Sequence, residues 1–446
     1  MAQTQEIEQL IAQFEAQPPT GVAVQQLEVL VRTAVFQPAN ALVGYLLQAA
    51  ADRIDAGYQP RPGQIRKGRE ILQVQGLFGT FALTRDYYYH GGKQQGLHPA
   101  DAALGLEVSD TPALARLIGL AGAAAASYQQ AETFLAEIGG LAVAARQIQR
   151  VVQRVGPPAQ QWQAREFQTH ECAPCDAPVL YVSADGTGAP MRAAELVGRT
   201  GKQADGTAKT RQVYLGCVFT QHRTDEQGQP MRDGESTTYV SSLDPIAEFG
   251  PQLRREALRR GMSTAQRVVL LIDGAEGLEH MGRLCFAGDL QIVDFYHALE
   301  HAGRVLEALL GSKQHPTYKT RRRQWIKRLL KDQVATLITQ TRREAATAGR
   351  SEPVEQELGY FVRNSARMQY GSFRQQGLFI GSGVIEAGCK TIVGARCKQS
   401  GMFWSRTGAE NILALRCIQA SRRLDEFWKH RLSEHAARNA ALPLAA

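Results

Sequence analysis

"RVVLLID", residues 267–273, is an unbroken apolar run closed by an acid. A strand apolar on both faces suits a parallel sheet, where helices cover each side. Upstream, "VLYVSAD" (179–185), "QVYLGCVFTQ" (212–221) and "TTYVSSL" (237–243) read as strands with polar, glycine-rich connections, as in an antiparallel meander. "PIAEFGPQLRREALRRGM" (245–262) reads as a helix with Pro245 near its start. Downstream, a short helix leads to a fifth strand in "LQIVDFYH" (290–297), and residues 298–375 read as helical and basic. The last region, with "GSGVIEAGCK" and "GAENILALRCIQASRR", is helical again.

The order is three strands, helix, strand, helix, strand, helical insertion, helix. Strand–helix–strand crossovers are right-handed, which brings the fourth strand beside the first. That is the ribonuclease H-like α/β arrangement. Its core is expected over 179–297, a basic helical insertion over 298–375, and helices that complete the core over 376–446.

In this arrangement Asp185 and Asp273 close neighbouring parallel strands at the C-terminal edge, where open α/β sheets bind ligands. Glu386 starts a helix behind "IGSGV", whose glycines would allow close approach to the sheet. Three converging carboxylates suit Mg²⁺, a hard ion that prefers oxygen ligands. Two such ions can activate an attacking oxygen and stabilise a leaving one in phosphoryl transfer. Singly, each acid has a plainer explanation. "ADGTG" and "IDGAEG" fit strand-ending turns, and a glutamate near a helix start favours the dipole. Their coincidence in the right order favours a metal site.

"IVDFYHALEHAG" (292–303) adds Asp294 and His297. A supporting pair beside the metals and a buried hydrogen bond both fit, because histidine serves both uses.

The preceding chain reads as a helical region with a short hairpin over 1–109 and a helix-turn-helix-like segment over 110–156. Residues 157–178, opened by Pro157-Pro158, read as a linker. In the helix after Gly139-Gly140, Ile148, Val151, Val152 and Val155 form one apolar stripe. Arg146, Arg150 and Arg154 lie on its polar face. A recognition helix in the major groove and a solvated bundle helix both match that pattern. Cys172 and Cys175 form a lone CxxC with no second pair to complete a zinc site.

Composition narrows the class. Hydrophobic residues at 44% and charged residues at 21% describe a globular protein, and a net charge of +8 suits a polyanionic partner. No apolar segment is long enough to span a bilayer. Seven scattered cysteines and a polar, acidic N-terminus point to the cytosol. The basic run Lys319, Arg321, Arg322, Arg323, Lys327, Arg328 and Lys331 around Trp325 suits phosphate contacts, with a solvated helix face as the alternative.

"YVSADGTGAPM", "LLIDGAEG", "IVDFYHALEH" and "IGSGVIEAGCKTIVGARCKQSGMFWSRTGAENILALR" resemble the ISKra-four group of bacterial insertion-sequence transposases, relatives of the Mutator-like enzymes. The resemblance spans about 179–420. It implies an Asp-Asp-Glu metal triad at Asp185, Asp273 and Glu386, holding two Mg²⁺ or Mn²⁺ ions. Asp294 and His297 would then answer the family's Cys/Asp-x-x-His signature as supporting residues. It further implies a bacterial, nucleoid-associated enzyme that cuts and joins double-stranded DNA as a homo-oligomer on its element ends. Trp404 of "GMFWS" could stack on an unpaired base or fill the core, and Lys390 could meet phosphate or pair with Glu386. Many relatives carry cysteine pairs near the N-terminal hairpin. This chain has "YYYHGGKQQGLHP" there, so zinc-dependent end recognition does not carry over. A non-catalytic, domesticated DNA-binding protein and a nuclease without joining activity are the rival expectations.

Overall fold

The computed structural model describes residues 8–9, 11–12, 14–16, 20–167, 172–201, 203 and 206–440. The chain divides into two compact units, Met1–Val152 with Asp425–Ala446, and Gln153–Leu424.

In the first unit a long helix, α1 (Gly21–Gly57), precedes an antiparallel sheet of β1 (Gln64–Gln75), β2 (Thr80–His90) and β3 (Gln95–Leu97). The hairpin expected from "ILQVQGLFGTFALTRDYYYH" is therefore present, and longer than that stretch. One face of it packs Val74 and Leu83 against Ala51 of α1 and against Ala100, which lies in the short helix α2 (Pro99–Leu104). Next come α3 (Pro112–Ala124), α4 (Tyr128–Glu137) and α5 (Ala145–Ala164). Gly140 makes the turn before α5 with φ +64°, a backbone that glycine adopts without strain.

The linker expected from Pro157-Pro158 is not seen at its start, because α5 runs through both prolines to Ala164. Burial explains this. The stripe of Ile148, Val151, Val152 and Val155 continues at Ala159 and Trp162, all buried. Spaced at three and four residues, these positions keep one face in the core. That burial outweighs the two backbone donors that the prolines lack.

The second unit is built on a mixed five-stranded sheet within an α/β fold. Its strands are β4 (Val179–Pro190), β5 (Thr210–Gln221), β6 (Thr238–Ser242), β7 (Val268–Ile272) and β8 (Leu290–Val293). Their order is β8-β7-β4-β5-β6. β4, β5 and β6 form the antiparallel meander, and β7 runs parallel to both β4 and β8. The fourth strand thus lies beside the first, as the crossover argument requires.

Alternation along the strands sorts the two faces. Leu180, Val182, Ala184, Leu270 and Ile272 pack against Phe249, Leu253 and Ala257 of α6 (Ile246–Arg259) and against Leu278 and Met281 of α7 (Glu276–Cys285). Tyr181, Ser183 and Asp185 point the other way. On that face Tyr181 stacks on Phe219 with ring centroids 4.9 Å apart, and Phe379 meets its edge at 5.4 Å.

From β8 to residue 375 the ordered elements are helices: α8 (Phe295–Leu310), α9 (Tyr318–Leu329), α10 (Val334–Thr347), α11 (Ser351–Asn364) and α12 (Tyr370–Gln375). Then come α13 (Gly383–Gly388), a π-helical turn (Cys389–Gly394) and α14 (Arg406–Ala420). The last helix, α15 (Leu424–Ala440), belongs almost wholly to the first unit. Among the described residues no helix is long and apolar enough to cross a membrane. All seven cysteines are free thiols, and Cys175 of the CxxC is buried.

Candidate functional site

The parallel register of β4 and β7 ends at Ala184 opposite Ile272, so Asp185 and Asp273 are the next residues on adjacent strands. β7 stops there. β4 does not: it continues to Pro190, paired with β5 alone. The glycines of "ADGTG" therefore lie inside a strand and not in a turn. In "IDGAEG" the turn is real, and Gly274 takes φ +78°. A side chain on Gly274 would press on the Tyr360 hydroxyl and on Val293, each 3.1 Å from the added carbon.

The Asp273 loop is held from α11. Tyr360 Oη donates to the Asp273 carbonyl at 2.7 Å, and Asn364 Nδ2 reaches the Gly274 carbonyl at 3.4 Å. The Asp273 carboxylate accepts from Ala275 N at 2.8 Å. Its pKa is nevertheless raised, first by burial and also by the charges of Asp185 and Asp294. Among the described residues neither Asp185 nor Asp273 forms an ion pair with a lysine or arginine.

Asp294 caps α8 and is fully buried. Its Oδ1 accepts from His297 N at 2.7 Å and lies 3.2 Å from His297 Nδ1. Its Oδ2 accepts from Ser382 N, at the start of α13. Burial pushes this carboxyl up, but the hydrogen bonds from His297 and Ser382 outweigh it and hold the pKa below the ordinary value. The same hydrogen bond raises His297 to about 9 against its own burial, with help from the charges of Asp294 and Asp273. His297 is therefore an imidazolium at neutral pH.

Glu386 joins this group through α13. Its ligand atoms and those of Asp294 and His297 lie within 4.8 Å of one another. Ser382 Oγ is 3.3 Å from Glu386 Oε1, so one serine touches two acids of the cluster. Of the glycines expected to let this helix approach the sheet, Gly383 faces open space, and Gly381 packs against the Tyr296 ring. The close approach is made at Gly388, where an added Cβ would lie 3.1 Å from Leu215 and 2.8 Å from Tyr239. Leu215 is paired with Asp185 across the strands. Cys389, which begins the π-helical turn, is raised by burial and by the neighbouring Asp185 carboxylate. Single π-turns of this kind recur at functional sites.

The geometry thus joins Asp273 electrostatically to Asp185, Asp294 and His297, and sets Glu386 beside the last two. Ser382, Tyr360, Asn364 and Cys389 complete the surroundings and were missed in the sequence. Only the Gly-Ser-Gly before the helix hinted at Ser382.

The residues expected to hold DNA fare unevenly. Trp404 is buried, donates its indole N–H to the Cys397 carbonyl at 3.2 Å and lies under Arg396 at 4.9 Å. It is a core residue and has no face free for a base, which corrects the stacking expectation. Its neighbour Phe403 is the exposed aromatic of "GMFWS". Arg321 is committed to Glu344 through both guanidinium nitrogens, whereas Arg322, Arg323 and Lys327 are exposed around a buried Trp325. Lys390 is exposed, and among the described residues no ion pair joins it to Glu386. Arg146 and Arg150 are exposed, and Arg154 is half-buried.

No family model matches the sequence, and no curated protein matches it. Among solved structures the chain is similar to the Drosophila P element transposase strand transfer complex. Identity is 9%, coverage 72% of this chain and 80% of that one, and the TM-score is 0.24. A likeness of that size carries no argument about fold or function.

Proposed function

We propose that this chain is a DNA transposase with a ribonuclease H-like core, in which Asp185, Asp273 and Glu386 hold divalent metal ions. The observation that carries the reading is that Asp185 and Asp273 each directly follow the last paired residues, Ala184 and Ile272, of adjacent parallel strands in a sheet ordered β8-β7-β4-β5-β6. The ISKra-four-like motifs that supply these acids support it from the sequence side.

The donor set fits the metal. Asp273 is raised by burial and by two neighbouring carboxylates, a repulsion that a cation among them would relieve. Oxygen donors alone suit Mg²⁺ or Mn²⁺. Bound ions would supply charge stabilisation for a phosphodiester and lower the pKa of an attacking hydroxyl or water.

The chain's own residues do the rest. Asp294 ties the start of α8 to the start of α13, which keeps Glu386 beside the sheet edge. His297, as a cation, is suited to a phosphate oxygen of the strand being cut. Tyr360 and Asn364 fix the loop that presents Asp273. Exposed Arg322, Arg323 and Lys327, with Arg146 and Arg150, are available for the DNA backbone. The partners are element ends and target DNA, bound by a homo-oligomer.

A second reading has one observation in its favour: Asp294, His297 and Glu386 form the compact three-ligand group. Asp294 and His297 are engaged with each other and with the backbone of α8 and α13 through hydrogen bonds that both oxygens of Asp294 accept. We read this group as a support for Glu386 and not as the metal cage.

The test is cleavage and joining of DNA carrying the element's ends, with Mg²⁺, by wild type and Glu386→Gln. Cutting and joining by wild type alone is expected, with at least about a thousandfold loss in the variant. Cutting without joining would favour a nuclease. DNA binding with no cutting under any metal would favour a domesticated DNA-binding protein.

A further inference from the structure

Past Gly186, β4 and β5 run on together as a two-stranded ribbon, from Thr187 opposite Val213 to Pro190 opposite Thr210. A cleft of about 490 Å³ lies along this ribbon, lined by Gly186, Thr187, Gly188, Arg199, Lys209 and Arg211 among others. It begins one residue beyond a carboxylate of the candidate site.

The lining has a distinct chemistry. Among the described residues it contains three cations, several threonines and glycines, and no acid, aromatic or large aliphatic side chain. Arg199 and Lys209 are exposed and form no ion pair among the described residues. Arg211 is largely covered, and its nearest carboxylate, Glu195, is 3.8 Å away. Burial pushes the Arg211 pKa down, and Arg199 and Arg406 push the same way, so positive charge is crowded here. From the segment after the π-helical turn, Lys398 adds a fourth cation, donating to Thr187 Oγ1 at 2.5 Å.

Arg199 and Lys209, without ion pairs among the described residues, beside an Arg211 that meets only Glu195 at 3.8 Å and the more distant charge of Glu410, leave an excess of positive charge that fits an anion. The absence of any aromatic platform argues against base stacking, which single-strand binders use to hold bases. What remains is phosphate. A cleft of this volume suits the backbone of one strand.

We propose that this ribbon cleft is the track for the sugar–phosphate backbone of the nucleic-acid strand that enters the carboxylate site, with Arg199, Lys209 and Arg211 on its phosphates. The assignment rests on the DNA-processing reading above. It also gives the continuation of β4 beyond Asp185 a purpose, since the ribbon carries the strand directly to that acid.

The test is fluorescence anisotropy of a short labelled single-stranded DNA with the full chain, in EDTA so that nothing is cut. Wild type is compared with Arg199→Gln/Lys209→Gln and with a charge-matched control, Arg283→Gln/Lys313→Gln, all four positions being exposed. Melting curves check that each variant is folded. The ribbon variant is expected to bind about tenfold more weakly. Its plot of log affinity against log salt should be flatter by about 1.4, from two contacts at roughly 0.7 each. The control should change less than about twofold by the same measure. Equal losses in both variants, or no loss in either, would overturn the cleft and leave the DNA reading standing. Failure of wild type to bind DNA would overturn both. Displacement of the DNA by equimolar pyrophosphate would overturn the strand track in favour of a small-anion site.

Discussion

Two pairs of acids in the molecule are balanced in opposite ways, Asp86 and Asp101 at the N-terminal hairpin and Asp185 and Asp273 at the sheet edge. On the N-terminal hairpin, Asp86 is held by Arg66 Nε at 2.6 Å, with Arg69 nearby, and its pKa is lowered by the Arg66 hydrogen bond. Asp101 is held by Arg85, whose Nε lies 2.7 and 2.8 Å from its two carboxylate oxygens. At the sheet edge of the second unit, Asp185 and Asp273 have no guanidinium or ammonium partner among the described residues, and Asp273 is raised by burial and by other acids. An acid that meets an arginine has its charge balanced within the fold. An acid left facing acids keeps a raised pKa, which under the proposed function a bound cation would relieve.

The widest break between the two regions should come from neutralising one acid of the edge. Asp273→Asn is expected to lower metal-dependent DNA cleavage at least about a thousandfold. In EDTA the same variant should be more stable than wild type, because the ionised form of a carboxylate with a raised pKa opposes folding at neutral pH. The expected direction is a higher midpoint in thermal melts. A destabilised Asp273→Asn would erase the contrast.

Arg85→Ala tests the other side. It strands Asp101 beside a buried site and should cost about 3 kcal/mol in denaturant unfolding, as removal of one partner of a buried pair does. Cleavage chemistry should be unchanged at temperatures where the variant is folded.

A smaller, pH-dependent effect sharpens the picture around α8. His301 stacks on Tyr360 with centroids 3.7 Å apart, and burial, then Arg304 and His297, push its pKa down to about 4. A histidine whose folded pKa lies below its unfolded value takes up its proton more readily when unfolded. Stability is therefore lost as pH falls from about 6.5 towards about 4. His301→Phe keeps the stacking and should flatten that part of the stability profile, followed by denaturant unfolding at each pH.

Much of this was legible in the sequence, for physical reasons. The apolar run 268–272 had to be a strand covered on both faces, and the handedness of its crossover fixed its neighbour. The adjacency of the acids at 185 and 273 followed from that pairing, and their expected role from the order of all three acids and the family resemblance. What stayed hidden depended on tertiary contacts. Gly186 and Gly188 look like turn residues, yet β5 supplies a partner strand that keeps them extended. Pro157 and Pro158 look like a helix stop, but Ala159 and Trp162 bury the next turn. Trp404 and Phe403 are adjacent aromatics, and only the packing of Cys397 and Arg396 decides which is covered. The role of Ser382, bridging Asp294 and Glu386, required the starts of α8 and α13, 88 residues apart, to meet.

The most direct test of the central claim is Mn²⁺ binding, read by electron paramagnetic resonance, in wild type, Asp185→Asn and His297→Gln at neutral pH. The account predicts binding by wild type, at least about tenfold weaker binding by Asp185→Asn, and near wild-type binding by His297→Gln, since it places His297 beside the metal ligands and not among them. Loss of Mn²⁺ in His297→Gln with full binding by Asp185→Asn would contradict it, and would put the metal in the Asp294, His297 and Glu386 group instead.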